Sequence, residues 1–365
     1  MSKKHYIIPI FIPHRGCPHD CIFCNQKKIT GQLSDITDKD AEIIIDKYLE
    51  TIDYKRATVE IAFFGGSFTA IPKDEQDMFL ALANKYLVEG KIHSIRLSTR
   101  PDYINIDILN NLKQYGVTIV ELGIQSMDKD VLTITRRGHT AEDAVNAIKL
   151  LKQEGFIAGV QLMIGLPYDN ENKAMETVKK IVELKPHIAR IYPALIIKDT
   201  LMEEMYKQGL YKSLTLDEAI NISKKMLICL EKSNIKVIRI GLQPTDDLKM
   251  GDNIVAGPYH PSMRQLVEAE IYKDMIIHIL TSIDTDTLSQ IEILCNPKDF
   301  SAVIGQKRSN YEHIKKLYRD MRVTFKEDTS IDISSIMLKS SEKTTILSKN
   351  TYYHDFVLEG IINQI

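Results

Sequence analysis

Between residues 6 and 240 short β-rich apolar runs alternate with longer amphipathic stretches, and this rhythm constrains the fold more than any other property of the chain. Strands in this pattern bury both faces and need a helical crossover between each pair, which is the arrangement of parallel βα units. The strands are expected at Tyr6–Ile12, Thr58–Phe64, Ser94–Ser98, Thr118–Gly123, Ile157–Ile164, Ile188–Tyr192 and Lys236–Ile240. Helices are expected at Asp38–Thr51, Asp74–Leu87, Ala141–Gln153, Glu171–Leu184 and Leu216–Lys232, where apolar residues recur at three and four positions. Six or seven units make a partial (βα)6-type, TIM-like barrel; a complete barrel would need an eighth strand, which the sequence does not supply.

The rhythm stops near Gly241. The expected organisation is a barrel over 1–240, a connector and helix over 241–284, a small α+β module over 285–330 and a tail over 331–365. Gly251, Gly257, Pro258 and Pro261 make the connector turn-rich, and Ser262–Thr281 reads as one helix. The module reads as strand Gln290–Leu294, helix Phe300–Ile304, the tetrapeptide Gly305–Arg308, helix Asn310–Arg319 and strand Arg322–Lys326. The remaining C-terminal residues are polar and carry no readable motif.

Charge and cysteine usage narrow the function classes. Lys and Arg total 47 against 49 Asp and Glu, so no global field draws the chain to nucleic acid or an anionic membrane, and any such site must be local. No apolar run approaches the roughly 18 residues of a membrane span, and the N-terminal apolar run is too short for a signal peptide, so a cytoplasmic location without membrane attachment is the expectation. Of the five cysteines, Cys229 and Cys295 are isolated, which excludes a disulfide framework. Cys17, Cys21 and Cys24 fall within eight residues after the first strand. Three thiolates so close are suited to a metal centre with one open position, such as a [4Fe–4S] cluster. The residues alone leave two alternatives: a zinc site completed by His14 or His19, and three unrelated thiols.

In parallel barrels functional groups collect at the C-terminal ends of the strands. Polar residues and glycines stand there: the cysteine loop, Gly65-Gly66-Ser67, Ser98, Gln125, and Gln161 within the fifth strand. The paired glycines leave room for a ligand near the backbone, although a plain tight turn needs them too. Ser98 and Gln125 can bond a ligand or cap a strand, and Arg137 has a fork suited to a carboxylate or is one of a solvated charge pair with Arg136.

The cysteine spacing, with Phe23 before the last cysteine, resembles the signature of the radical S-adenosylmethionine (SAM) superfamily. Phe63–Thr69, Ser98–Asp102, Glu121–Ser126, Ile164–Pro167 and Arg190–Thr200 are similar to the Elongator protein 3 branch, with kinship to oxygen-independent coproporphyrinogen III dehydrogenase. The resemblance implies a cluster on Cys17, Cys21 and Cys24 whose open iron binds S-adenosylmethionine, and reductive cleavage of that molecule to a 5′-deoxyadenosyl radical. It implies that Gly65, Gly66, Ser67, Ser98, Gln125, Arg137 and Gln161 hold the cofactor, although relatives usually carry acidic residues at the positions of Ser98 and Gln161. A reductant such as flavodoxin or ferredoxin would supply the electron.

Elongator-type proteins modify wobble uridine in tRNA with acetyl-CoA through a further acetyltransferase domain, for which this chain is expected to be too short. Residues 301–314 are instead similar to the helix, GXXG loop and helix of a KH domain, with Arg308 in place of the second glycine. Gly305, Gln306, Lys307 and Arg308 are thus candidates for clamping an RNA backbone, against a merely solvated basic face. Tyr259, His260 and Arg264 are candidate substrate or proton-transfer residues, unless their segment is only a rigid turn. The expected activity is radical SAM chemistry on an RNA base; the competing readings are a porphyrinogen-like small molecule as substrate, and a non-catalytic RNA-binding protein with a structural or redox-sensing metal centre.

Overall fold

Seven parallel strands lie side by side in a computed structural model that describes residues 4–12, 21–25, 36–242, 250–283, 288–341 and 343–356. They are β1 (Lys4–Ile12), β2 (Ala57–Gly65), β3 (Ser94–Thr99), β4 (Val117–Gln125), β5 (Ile157–Ile164), β6 (Ile188–Pro193) and β8 (Lys236–Ile240), hydrogen-bonded in the order β1-β2-β3-β4-β5-β6-β8. The outermost strands do not pair with each other, so the sheet is the open half-barrel expected from the sequence. Between β6 and β8 the chain forms β7 (Ile196–Ile197), which pairs with β9 (Ile254–Ala256).

The crossover helices begin where local chemistry can start them. α1 (Asp38–Thr51) and α5 (Ala141–Gln153) each open on a capping box, Thr37 with Asp40 and Thr140 with Asp143, which satisfies amide groups no helix can satisfy internally. α2 (Lys73–Val88) and α6 (Glu171–Leu184) also match their expected positions, α6 under an Asn170 cap. α3 (Ile106–Gln114), α4 (Lys129–Ile134) and α7 (Leu201–Lys207) were not foreseen, being too short for a helical period to stand out. Ile61 and Phe63 are fully or almost fully buried, and Phe63 meets Phe79 of α2 at 6.1 Å. Alternation then turns Glu60, Ala62 and Phe64 to the other face of the sheet, away from that helix.

The chain divides into two compact units, residues 1–215 with 234–259 and residues 216–233 with 260–365. This differs from the ranges read along the sequence, because α8 (Leu216–Lys232) groups with the C-terminal residues. In that second unit, α9 (Met263–Thr281) precedes a four-stranded sheet. β10 (Gln290–Cys295) runs parallel to β11 (Arg322–Glu327), and α10 (Phe300–Ile304) and α11 (Ser309–Leu317) lie between them in sequence. The residues expected to be a tail instead supply β12 (Ser335–Lys339), β13 (Thr344–Ser348) and α12 (Lys349–Phe356). β12 pairs antiparallel with β10 and with β13. Among the described residues no helix is long and apolar enough to cross a membrane.

Candidate functional site

Cys21 and Cys24 follow β1 in a segment anchored from several sides; Cys17, His14 and His19 lie outside the described residues. The Cys24 amide donates to the Cys21 carbonyl at 3.0 Å, closing a turn. Ile22 donates to Thr135 O at 3.3 Å and accepts from Met202 N at 2.9 Å, while Asn25 Nδ2 donates to Lys198 O at 3.3 Å. Phe23 packs on Val131, Leu166 and Ala194 beside Met163. An aromatic between the last two cysteines thus fixes the thiol-bearing turn to an apolar cluster.

Arg137 reaches that turn. Arg136 and Gly138 on either side of it have φ of 54° and 74°, and whereas Arg136 is exposed, Arg137 is buried, so the pair is not simply solvated. Its Nη1 donates to Cys21 Sγ at 3.1 Å and its Nη2 to Gly123 O at 2.6 Å. A side chain at Gly123 would meet Gln125 Nε2 at 3.1 Å and Arg137 Nη2 at 3.4 Å, so glycine there permits the convergence. Among the described residues, Gln125 Oε1 and Arg137 Nε are buried without a hydrogen-bond partner. An unmatched acceptor and donor beside a thiol, at the end of a strand, suit a polar ligand that brings both kinds of group.

The glycine loop borders the end of β1. Gly65 has φ 108°, a Cβ on it would lie 2.7 Å from Ile12 O, and Gly66 N donates to that same carbonyl at 2.8 Å. The Ser67 hydroxyl lies 2.8 Å from Thr99 Oγ1 and accepts from Arg100 N at 3.2 Å, joining this loop to the end of β3. Ser98 and Gln161 meet: Gln161 Nε2 donates to Ser98 Oγ at 3.0 Å and to Glu121 Oε2 at 3.3 Å.

Glu121 belongs to a buried charge network that the sequence reading missed. Arg190 donates to it through Nε at 2.5 Å and Nη2 at 2.9 Å, and Arg96 Nη1 at 2.9 Å. Arg96 also bonds Glu60 through Nε at 2.9 Å, and His5 approaches Glu60 at 3.1 Å. Burial pushes the Glu121 carboxyl up, but the two guanidiniums outweigh it and hold its pKa below the usual value. The missed signal was a charged residue inside five of the seven apolar runs: Glu60, Arg96, Glu121, Arg190 and Arg239. His139, also missed, is buried with Nε2 3.2 Å from Ile124 O. Burial, with Arg137 and Arg100 nearby, brings its pKa down to about 3.

The other candidates divide between the units. In the barrel unit Tyr259 packs on Leu195, Ile197 and Ile254. In the C-terminal unit His260 accepts from Ser262 N at 3.1 Å and lies 3.2 Å from Gln306 Nε2. Arg264 is ion-paired with Glu231 at 3.4 Å and Glu268 at 3.2 Å. Lys307 and Arg308 are exposed with φ of 50° and 64°, and Arg308 lies 4.3 Å over the Tyr311 ring. Gly305 is required: a Cβ would sit 2.8 Å from Asn310 N.

Comparison with known proteins gives the chain its relatives. Residues 11–181 match the radical SAM superfamily and residues 186–273 the radical SAM C-terminal domain. A tRNA uridine(34) acetyltransferase of Methanocaldococcus jannaschii is 29% identical over 256 residues, 59% of this chain and 47% of that protein. An uncharacterized protein of the same organism is 32% identical over 241 residues, 62% of this chain and 71% of that protein. The chain spans about half the length of the first of these relatives. Among solved structures, archaeal Elp3 of Methanocaldococcus infernus with an N-terminal deletion shares the fold, with a TM-score of 0.61, 23% identity, and coverage of 75% of this chain and 64% of that one.

Proposed function

The chain belongs to the radical SAM superfamily, a family of enzymes that use a [4Fe–4S] cluster, S-adenosylmethionine and an external reductant, and we propose that it applies this chemistry to an RNA base. The observation that carries the cofactor half is the bond from Arg137 Nη1 to Cys21 Sγ, beside the unmatched Gln125 Oε1. Cys17, Cys21 and Cys24 would hold the cluster, and when bound the cluster and S-adenosylmethionine supply reductive cleavage of the sulfonium.

This chain's own residues prepare the place. Arg137 donates to Cys21 Sγ and to the carbonyl of Gly123, and so holds the thiol against the end of β4. Gly65 allows the close approach to the Ile12 carbonyl that Gly66 N bonds, and Gln125 brings its amide to the end of β4. Gln161 and Ser98 bond each other, so their part is to border the site and fix the charges behind it. The buried Ile22 and the packing of Phe23 on its apolar cluster hold the half-buried thiol turn in place.

RNA as substrate is supported by the name of one relative, a tRNA uridine(34) acetyltransferase, and by the exposed Lys307 and Arg308. A flavodoxin or ferredoxin is the proposed electron donor. The test is anaerobic cluster reconstitution, then dithionite and S-adenosylmethionine, with detection of 5′-deoxyadenosine. Formation by the wild type and its loss in Cys21→Ala is expected; no 5′-deoxyadenosine under reducing conditions would sink the reading. Comparison of modified nucleosides between wild-type and deletion strains tests the RNA half, and unchanged nucleosides would turn attention to a small-molecule substrate.

A further inference from the structure

The face of the parallel sheet turned away from α2 carries a row of charges, Glu60 on β2, Arg96 on β3, Glu121 on β4, Arg190 on β6 and Arg239 on β8. The first four are matched: Arg96 bonds Glu60 and Glu121, and Arg190 takes Glu121 with two nitrogens. Arg239 breaks the pattern. It stands opposite Arg190 in the β6–β8 register, so two guanidiniums occupy one rung. Glu121, a carboxylate that acts on both, is already taken by Arg190 and Arg96. Among the described residues no carboxylate forms an ion pair with Arg239.

Like charges directly opposite on paired strands repel, and a half-buried cation without a counter-charge adds a desolvation cost. Burial, and after it Arg190, act to lower the Arg239 pKa, with Tyr192 and Glu121 opposing them. Tyr192 lies on the same face two residues beyond Arg190, whose Nη1 donates to its hydroxyl at 3.4 Å. The phenol proton remains to be given to something else. Two cations on one rung, a phenol donor beside them and a single carboxylate, already bonded to Arg190, make a site that is short of one anion.

We propose that Arg239, Arg190 and Tyr192 form an anion subsite inside the half-barrel that takes a phosphate group of the substrate. Arginine forks match a tetrahedral oxyanion with paired donors, and Arg190 keeps its own carboxylate while Arg239 contributes the surplus charge. With RNA as the substrate, the phosphate is a backbone phosphodiester next to the target nucleotide; this step rests on the function proposed above.

The test is thermal melting of the full chain, with inorganic phosphate as the probe. In chloride buffer Arg239→Gln is expected to melt no lower than wild type, because it removes a like-charge pair. Millimolar phosphate at fixed ionic strength is expected to raise the wild-type melting temperature by about 2 °C or more, Arg239→Lys to keep most of that rise, and Arg239→Gln to lose it. An equal phosphate shift in wild type and Arg239→Gln, or an Arg239→Gln protein that melts lower in chloride, overturns the proposal. Acetate that shifts wild type as far as phosphate overturns the assignment to phosphate. The measurement needs neither cluster nor reductant, so its failure is distinct from a failure to form 5′-deoxyadenosine.

Discussion

Arg137 joins a thiol on the loop after β1 to a carbonyl near the end of β4, with its Nε buried and unmatched among the described residues. Hydrogen bonds that involve a charged group are worth about 1.5–3 kcal/mol, roughly a 10- to 100-fold change in an equilibrium. Arg137→Ala is therefore expected to weaken S-adenosylmethionine binding to the reconstituted protein by that factor in equilibrium dialysis, and Arg137→Lys, which keeps charge but not the fork, to recover part of it. Asp169 gives a different residue-scale test. Its Oδ2 accepts from Gly165 N at 2.8 Å, its Oδ1 is buried without a hydrogen-bond partner among the described residues, and burial pushes its pKa up to about 6. The folded state thus keeps a proton that the unfolded chain loses near its ordinary value, so stability falls as pH rises between that value and about 6 and stays reduced above it. Asp169→Asn should melt higher than wild type at pH 8, by about 1 kcal/mol or more in stability, with the advantage gone below the unfolded carboxylate pKa.

At the scale of elements, Asn310 at the start of α11 holds three segments together. Its Nδ2 donates to Ala269 O of α9 at 2.8 Å and to Ala302 O and Val303 O of α10 at 3.3 and 3.2 Å. Asn310→Ala leaves buried carbonyls unmatched and should cost about 1–3 kcal/mol in urea unfolding, with no change in the barrel residues. The strands of the half-barrel were legible because runs such as Ile157–Ile164 are continuous apolar signals, and the structure places every expected parallel strand within two residues of its expected ends. β12 and β13 were not, because five-residue strands carry little periodicity, and what makes them a sheet is the pairing of β12 with β10, far away in sequence, while β13 pairs with β12. The candidate site divides in the same way. Cysteines and paired glycines announce themselves by spacing, whereas Glu121 is hidden in an apolar run and acquires meaning only when Arg96 and Arg190 arrive on neighbouring strands.

At the scale of the whole molecule, a net charge of −2 leaves RNA attraction to local cations. Lys307 and Arg308 both adopt left-handed backbone, which costs a non-glycine residue about 1–2 kcal/mol, at an exposed loop where neither is in an ion pair among the described residues. Arg308→Gly should relieve part of that strain while it removes a charge, so stability and RNA affinity are expected to move in opposite directions. A purely structural loop would move them together or leave affinity alone. Each cation that neutralises a phosphate of a single strand releases about 0.7 counterion, so the slope of log affinity against log salt measures how many are engaged. Binding of a single-stranded RNA to the full chain, followed over a range of potassium chloride by fluorescence anisotropy, should lose about 0.7 from that slope in Lys307→Ala or Arg308→Gly and about twice that in the double variant. A slope unchanged in the double variant would remove the loop from RNA binding and leave phosphate recognition to the rung of Arg190 and Arg239, where Arg239→Gln would then be the variant to alter the slope.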